Sequence, residues 1–430
     1  MSNSEIYEGE FSFKQYFVPL TTIKAVHWII IIGLLVFANA LFNGFVWDDK
    51  TYIVNNLEVH KLDLATLLGP NLFNSAGFYR PISALYFAGL YSLSGATPFL
   101  YHLLQILLHI TNSVLVFIVF KHFFNKNVSF ILALIFLVHP MNVESVSYIA
   151  SSVSVLFLFF GLLALVLSFK QELKGKKLFS IFCLIFLSML TKETGFLFLL
   201  LILLFIFLYK KRSFILFSLL SVATTILYLI FRISTIGTTY EKQDFIPIMK
   251  LSLDERLLSI PQIIFYYIGT FIFPNKLATS QNWVVHEINF SNFYLPLLLD
   301  TLFFISIGLI GIYLYKNKKE LFAIFVFFLF WFFAGLEMLL QIVPLDMTVA
   351  DRWIYFPMVG LLGLIGVSIA LLTKRNPHLK KYILVAMIII ICLLAGRTIV
   401  RNTNWSNATI LYTHDIQVQD DYNKRDGLGV

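Results

Sequence analysis

The sequence predicts an all-α polytopic membrane protein, a bundle of about eleven transmembrane helices. Of its 430 residues, 59% are hydrophobic and 13% charged, and the mean hydropathy is +0.83. A soluble chain of this length could not bury so much apolar side chain. The apolar residues gather in runs approaching the ~20 residues that cross a bilayer. Lysines and arginines cluster briefly between those runs. The net charge of +8 is therefore a topology signal rather than a nucleic-acid footprint, and no nucleic-acid partner is expected. Cys183 and Cys392 lie inside apolar runs and form no disulfide framework.

Taken in order, residues 1–22 are polar and lack the apolar core of a signal peptide, so they read as a cytoplasmic tail or surface helix. The membrane domain covers 23–400 and begins with a span from Ile23 to Val46. A first external loop occupies 47–98. Within it Pro81 to Leu93 has helical apolar spacing but is too short to cross, and is expected along the interface. Further spans are expected near 99–120, 128–140, 150–169, 178–190, 194–210, 213–235, 293–315, 320–343, 353–372 and 382–400. Residues 401–430 form a short external tail. The basic clusters at Lys121 to Lys126, Lys170 to Lys177, Lys210 to Arg212, Lys316 to Lys319 and Lys374 to Lys381 all become cytoplasmic if 256–273 does not cross. That segment is then a re-entrant or interfacial helix, with the N-terminus inside and the C-terminus outside. Few cysteines and no signal peptide point to a prokaryotic cytoplasmic membrane.

This topology gathers the unusual charges on one face. Asp48-Asp49, Tyr79-Arg80-Pro81, His139-Pro140 with Glu144, Lys192-Glu193 and Asp351-Arg352 all fall at external ends of spans. Ionisable groups beside hydrocarbon are costly unless solvated, paired or used. Each has a plain reading beside the functional one. Asp48 and Asp49 end a helix in water, Arg80 snorkels before an N1 proline, and Glu144 suits a helix start. Lys192-Glu193 fits a solvated turn, and Asp254-Glu255-Arg256 a capping cluster. In the functional reading, Arg80, Arg352 and Lys192 hold a phosphate, and an ionised Asp48 or Asp49 takes the proton of a hydroxyl acceptor.

The ordered motifs carry a resemblance. Trp47-Asp48-Asp49 with Asn55-Asn56, Tyr79-Arg80-Pro81, and Gly95 to Tyr101-His102-Leu103-Leu104-Gln105 with His109 come first. His139-Pro140-x-x-x-Glu144-Ser145-Val146, Lys192-Glu193 and Ala350-Asp351-Arg352-x-x-Tyr355-x-Pro357 follow. Over roughly 40–415 they resemble the membrane domain of the transmembrane-and-tetratricopeptide O-mannosyltransferases and prokaryotic relatives, in the GT-C glycosyltransferase superfamily. The resemblance implies a polyprenyl-phosphate-sugar donor and inverting transfer on the extracytoplasmic side to a glycan, lipid or protein acceptor. Asp48 or Asp49 would be the base, with a slight preference for Asp48. Arg80 and Arg352 would hold the lipid phosphate, with Lys192 beside them, and Tyr79, His102, His139, Glu144, Glu193, Asp351 and Tyr355 would line the cavity. The chain departs from the family at Ala150-Ser151-Ser152-Val153, where relatives often carry an arginine; the repeats that follow Leu411-Tyr412 in relatives are either absent or lie beyond Val430, and their absence would put a protein acceptor in question.

No His/Cys/Asp spacing demands a metal and no cofactor is required, while a divalent ion at the aspartates stays open. Two other classes remain. A transporter or lipid-carrier flippase would show repeated halves or broken midplane helices, neither of which is visible. A non-catalytic assembly protein would not bring the external motifs together in space.

Overall fold

The computed structural model describes residues 20–69, 77–237, 246–420 and 424–425. It is helical throughout apart from one isolated antiparallel bridge between Gln281 and Val349. Among the described residues, the helices of ten or more residues are α1 Thr22–Val36, α2 Pro81–Ser94, α3 Pro98–Phe123, α4 Lys126–Val138, α5 Ser152–Ser168, α6 Gly175–Thr191 and α7 Phe196–Tyr209. They continue with α8 Phe214–Ile236, α9 Leu253–Ile272, α10 Leu295–Asn317, α11 Lys319–Glu337, α12 Pro357–Arg375, α13 Leu379–Thr403 and α14 Ala408–Val418. A helix stands at each of the eleven expected spans.

Seven of these, α3, α5, α8 and α10 to α13 with their flanking turns, are long and apolar enough to cross a membrane. The bent pair of α4 with Pro140–Ser147, which turns by 50° at its break, is either an eighth, broken span or a re-entrant loop. The chain is a multi-pass membrane protein. The remaining three expected spans, α1, α6 and α7, are helices of 15, 17 and 14 residues, short of the ~20 that a straight crossing needs. The first expected span ended at Val46, but α1 stops at Val36. Asn39 and Asn43 turn the chain there by donating to the Ile399 and Asn402 carbonyls (2.9 and 3.1 Å).

The inner helices α3, α4, α5 and α12 share the main core, with α1 and α13 against α4 and α11 against α12. Close approach depends on glycine at the α11–α12 seam, where a Cβ on Gly360 would stand 2.4 Å from the Phe332 backbone nitrogen. α2, the expected interfacial helix, packs on α6 and α3 and is not among the candidate spans. α9, the expected re-entrant or interfacial segment, is likewise outside that set. It opens with a capping box, Ser252 with Glu255, and carries Pro261 within. Arg256 does more than the expected capping cluster requires. It is buried and donates to the Gln341, Ile342 and Leu251 carbonyls.

The two ends of the bundle differ chemically. At one, Lys121 and Lys126 donate to Thr22 Oγ1 and the Leu20 carbonyl, and Lys210 to the Ser168 carbonyl. At the other, Asp49 accepts from Ala150 N–H just before α5. Seventeen residues of α5 separate these points, about 25 Å at the α-helical rise.

Candidate active site

The site is built on the turn after α1. Asn402, fully buried, fixes it from below by donating to the Val36 carbonyl and Asn39 Oδ1 (both 3.1 Å) while accepting from Ser147 Oγ (2.9 Å). Gly44 N–H donates to the Ser406 carbonyl. Trp47 then adopts φ 50°, in the left-handed region that a bulky side chain avoids. Two neighbours impose that conformation. The Trp47 ring stacks on Tyr148 (5.1 Å, 19°), which stacks in turn on Trp405. Asp49 Oδ2 accepts from the preceding Val46 N–H at 3.0 Å.

The acidic pair divides here. Asp49 is fully buried with both oxygens engaged, Oδ2 by Val46 and Oδ1 by Ala150 N–H at 2.7 Å. Burial pushes its carboxyl up to about 8 against those two donors. Asp48 is partly exposed. Its Oδ2 accepts from Tyr148 Oη at 2.7 Å, and its Oδ1 has no hydrogen-bond partner among the described residues. Burial raises the Asp48 carboxyl above the ordinary range, while the Tyr148 hydroxyl and the Arg352 charge restrain the rise.

The expected cations arrive from three other elements. Arg80, at the N-cap of α2, directs Nε and Nη2 to Glu193 Oε2 (3.1 and 2.9 Å) and lies 3.9 Å over the Phe78 ring. Glu193 Oε1 is buried without a partner. Lys192, in the break between α6 and α7, reaches Ser154 Oγ in the first turn of α5 at 3.4 Å. Burial lowers its ammonium to about 7, with Arg80 and then Arg352 adding to the effect. Arg352 pairs with Glu144 through Nη1, and its backbone N–H donates to Glu144 Oε2 at 2.8 Å. Its guanidinium sits among the Trp47, Tyr148 and Trp353 rings, 5.4 to 5.9 Å from their centroids. Burial raises the Tyr52 hydroxyl, and the charges of Asp48, Arg80, Asp346 and Arg352 act on it after that. Asp351 is buried, accepts from Tyr266 Oη, and has its carboxyl driven up by burial and by Glu144.

Four other expected cavity residues lie in the core or hydrogen-bond to the protein itself. His139 Nδ1 accepts from Met141 N–H at 3.3 Å, so its proton sits on Nε2, which donates to the Phe271 carbonyl at 3.0 Å. This bolts the α4 bend to the end of α9. Tyr355 is buried 2.7 Å from His109 Nδ1 and also accepts from Asn112. His102 is fully buried on α3 near the Asn43–Gly44 turn. Tyr79 Oη donates to the Leu68 carbonyl at 3.4 Å.

Several residues at the site carried no sequence signal we used. Tyr148 lies four residues beyond Glu144, a spacing that places both on one helical face had the turn been read as helix. Asp346 acts on Asp48, Lys192 and Arg352. A second buried pair, Arg401 with Asp415 (3.4 Å), comes from the expected tail. Asp415 Oδ2 accepts from Thr279 N–H and Oγ1 (both 2.7 Å), and the Thr279 carbonyl accepts from Arg352 Nη1 at 3.4 Å. Among the described residues, no group of three or more His, Cys, Asp or Glu side chains is arranged to hold a metal ion.

No family model matches the chain. Among curated proteins, it is 32% identical over 164 residues to Protein O-mannosyl-transferase TMTC3 of Mus musculus, 36% of this chain and 17% of the relative. It is 35% identical over 134 residues to human Protein O-mannosyl-transferase TMTC3, 29% of this chain and 15% of the relative. It is 31% identical over 181 residues to Protein O-mannosyl-transferase F38B6.6 of Caenorhabditis elegans, 39% and 26%. The chain thus spans about a quarter or less of the length of these relatives. A crystal structure of ArnT from Cupriavidus metallidurans bound to undecaprenyl phosphate aligns with 94% of this chain and 77% of its own, with TM-score 0.43 and 11% identity. Over roughly a third of its length, then, the chain is similar to the protein O-mannosyl-transferases.

Proposed function

We propose that this protein is a GT-C-type membrane glycosyltransferase that moves a sugar from a polyprenyl-phosphate-linked donor to a hydroxyl acceptor on the extracytoplasmic face, with inversion. The observation that carries the reading is Asp48: one carboxylate oxygen is anchored by Tyr148 and the other has no partner among the described residues, within reach of the Arg352 charge. The mannosyltransferase names of the relatives support mannose as the first sugar to test.

In the proposed reaction the acceptor oxygen attacks the anomeric carbon as the bond from that carbon to the phosphate oxygen breaks. The acceptor proton passes to Asp48 Oδ1, and the lipid phosphate leaves with the bonding pair. Fixed donors aimed at charge that develops in the transition state are the largest class of catalytic effect. Arg352 and Lys192 are suited to this, since Lys192 is held by a single long hydrogen bond and Arg352 Nη2 reaches only the Met347 sulfur. Arg80 is tied to Glu193 and would serve by exchanging that partner for phosphate. The proposed chemistry calls for no metal, because these cations meet the leaving-group charge. Activity that survives EDTA is the expected outcome.

The test is in-vitro transfer from a panel of polyprenyl-phosphate sugars to hydroxyl acceptors, read as covalent product and anomeric configuration. Transport of an unaltered labelled lipid with no product would sink the reading.

A further inference from the structure

The segment between α11 and the Asp351 turn is irregular yet tightly fixed. Gln341 is buried at φ 59°, a left-handed conformation that is strained away from glycine and persists only where the surroundings impose it. Its side-chain oxygen accepts from Leu345 N–H at 2.8 Å, and its amide donates to the Met347 and Thr348 carbonyls at 2.8 and 2.9 Å. The Gln341 and Ile342 carbonyls accept from buried Arg256. Thr348 and Val349 are stitched to Gln281 by backbone bonds. Residues 345–348 are therefore wrapped around one amide group.

Asp346 stands at the apex of this turn. It is exposed and makes no hydrogen bond or ion pair among the described residues. The adjacent Met347 sulfur receives Arg352 Nη2 at 3.7 Å, which sets the apex beside the candidate phosphate site. The Asp346 charge is felt by Asp48, Tyr52, Lys192 and Arg352. A carboxylate that served only solubility would need no scaffold. One carried on a fixed backbone turn beside candidate phosphate-binding cations is placed to meet what is attached to that phosphate, and a sugar ring presents hydroxyl donors that a carboxylate accepts in pairs.

We propose that Asp346 recognises the donor's sugar, accepting hydrogen bonds from its ring hydroxyls while Arg352 and Lys192 hold the lipid phosphate. This rests on the glycosyl-transfer reading above. Asp346 is thus a specificity-determining residue, distinct from the base.

The test compares binding of polyprenyl-phosphate mannose and of a sugar-free diester, polyprenyl methyl phosphate, to the full chain in lipid nanodiscs, for wild type and Asp346→Asn. Both lipids are phosphodiesters with a single negative charge, so loss of the Asp346 charge near the cations favours them alike and the ratio of the two affinities isolates the sugar contact. Hydrogen bonds to a charged group contribute enough that the preference for the sugar-bearing lipid should fall about tenfold or more. The thermal midpoint should stay unchanged, since the side chain is exposed. An unaltered affinity ratio overturns the inference and leaves the proposed function standing. Failure of the wild type to bind either lipid overturns both.

Discussion

The division of labour between Asp48 and Asp49 is the sharpest consequence of the structure. Asp48→Asn keeps the size of the side chain and an acceptor for Tyr148 Oη, so the fold should hold, but it removes the proton acceptor. Positioned base catalysis contributes on the order of 10²–10⁴-fold, and transfer should fall by that factor with donor binding intact. Asp49→Ala does something different. It strands the Val46 and Ala150 N–H groups, now satisfied at 3.0 and 2.7 Å. Each buried unsatisfied donor costs about 1–3 kcal/mol, giving about 2–6 kcal/mol together. The turn would also lose the bond that helps impose the Trp47 conformation. Paired measurements decide the matter: transfer rate with thermal unfolding in nanodiscs for each variant. A variant Asp48→Asn with wild-type turnover, or an Asp49→Ala that unfolds like wild type yet cannot transfer, would refute the assignment.

Other consequences can be measured in the same system. In kcat/KM, which reports the free enzyme, the acid limb should lie above the ordinary carboxylate range, because burial raises Asp48 and only its ionised form accepts a proton. The alkaline limb should set in near pH 7 as Lys192 loses its charge, and Lys192→Arg should move that limb upward. A flat profile through pH 6 to 8 would count against a role for Lys192. Asp415→Ala leaves buried Arg401 unpaired, a loss of about 3–5 kcal/mol for such pairs. It should also raise the donor KM, because the Thr279 segment that receives Arg352 is released. Gly195→Ala would bring a Cβ within 2.4 to 2.6 Å of the Ser188 and Met189 backbone, displacing the turn that carries Lys192 and Glu193. Its donor affinity should drop more than its thermal midpoint, checked by lipid titration and calorimetry.

Much of this protein was legible from residue order. A membrane chain must satisfy its backbone internally, so apolar runs declare helices and basic clusters declare their ends. For the same reason, charges such as Asp48, Arg80, Glu144, Lys192 and Arg352 stand out in a chain where 13% of residues are charged. What the sequence could not decide is which charge faces a substrate and which faces the protein. Asp48 and Asp49 are identical in type and adjacent in order; they differ because Ala150, a hundred residues on, offers its N–H to one of them. His139 and Tyr355 read alike as cavity-lining residues, and only the structure brings them to the Phe271 carbonyl and His109. Asp346 and Asp415 were passed over because nothing in their local sequence marks them. Their meaning lies in the Gln341 amide, the Thr279 segment and Arg401, and hydrogen bonds between distant residues follow from packing, which no local pattern encodes.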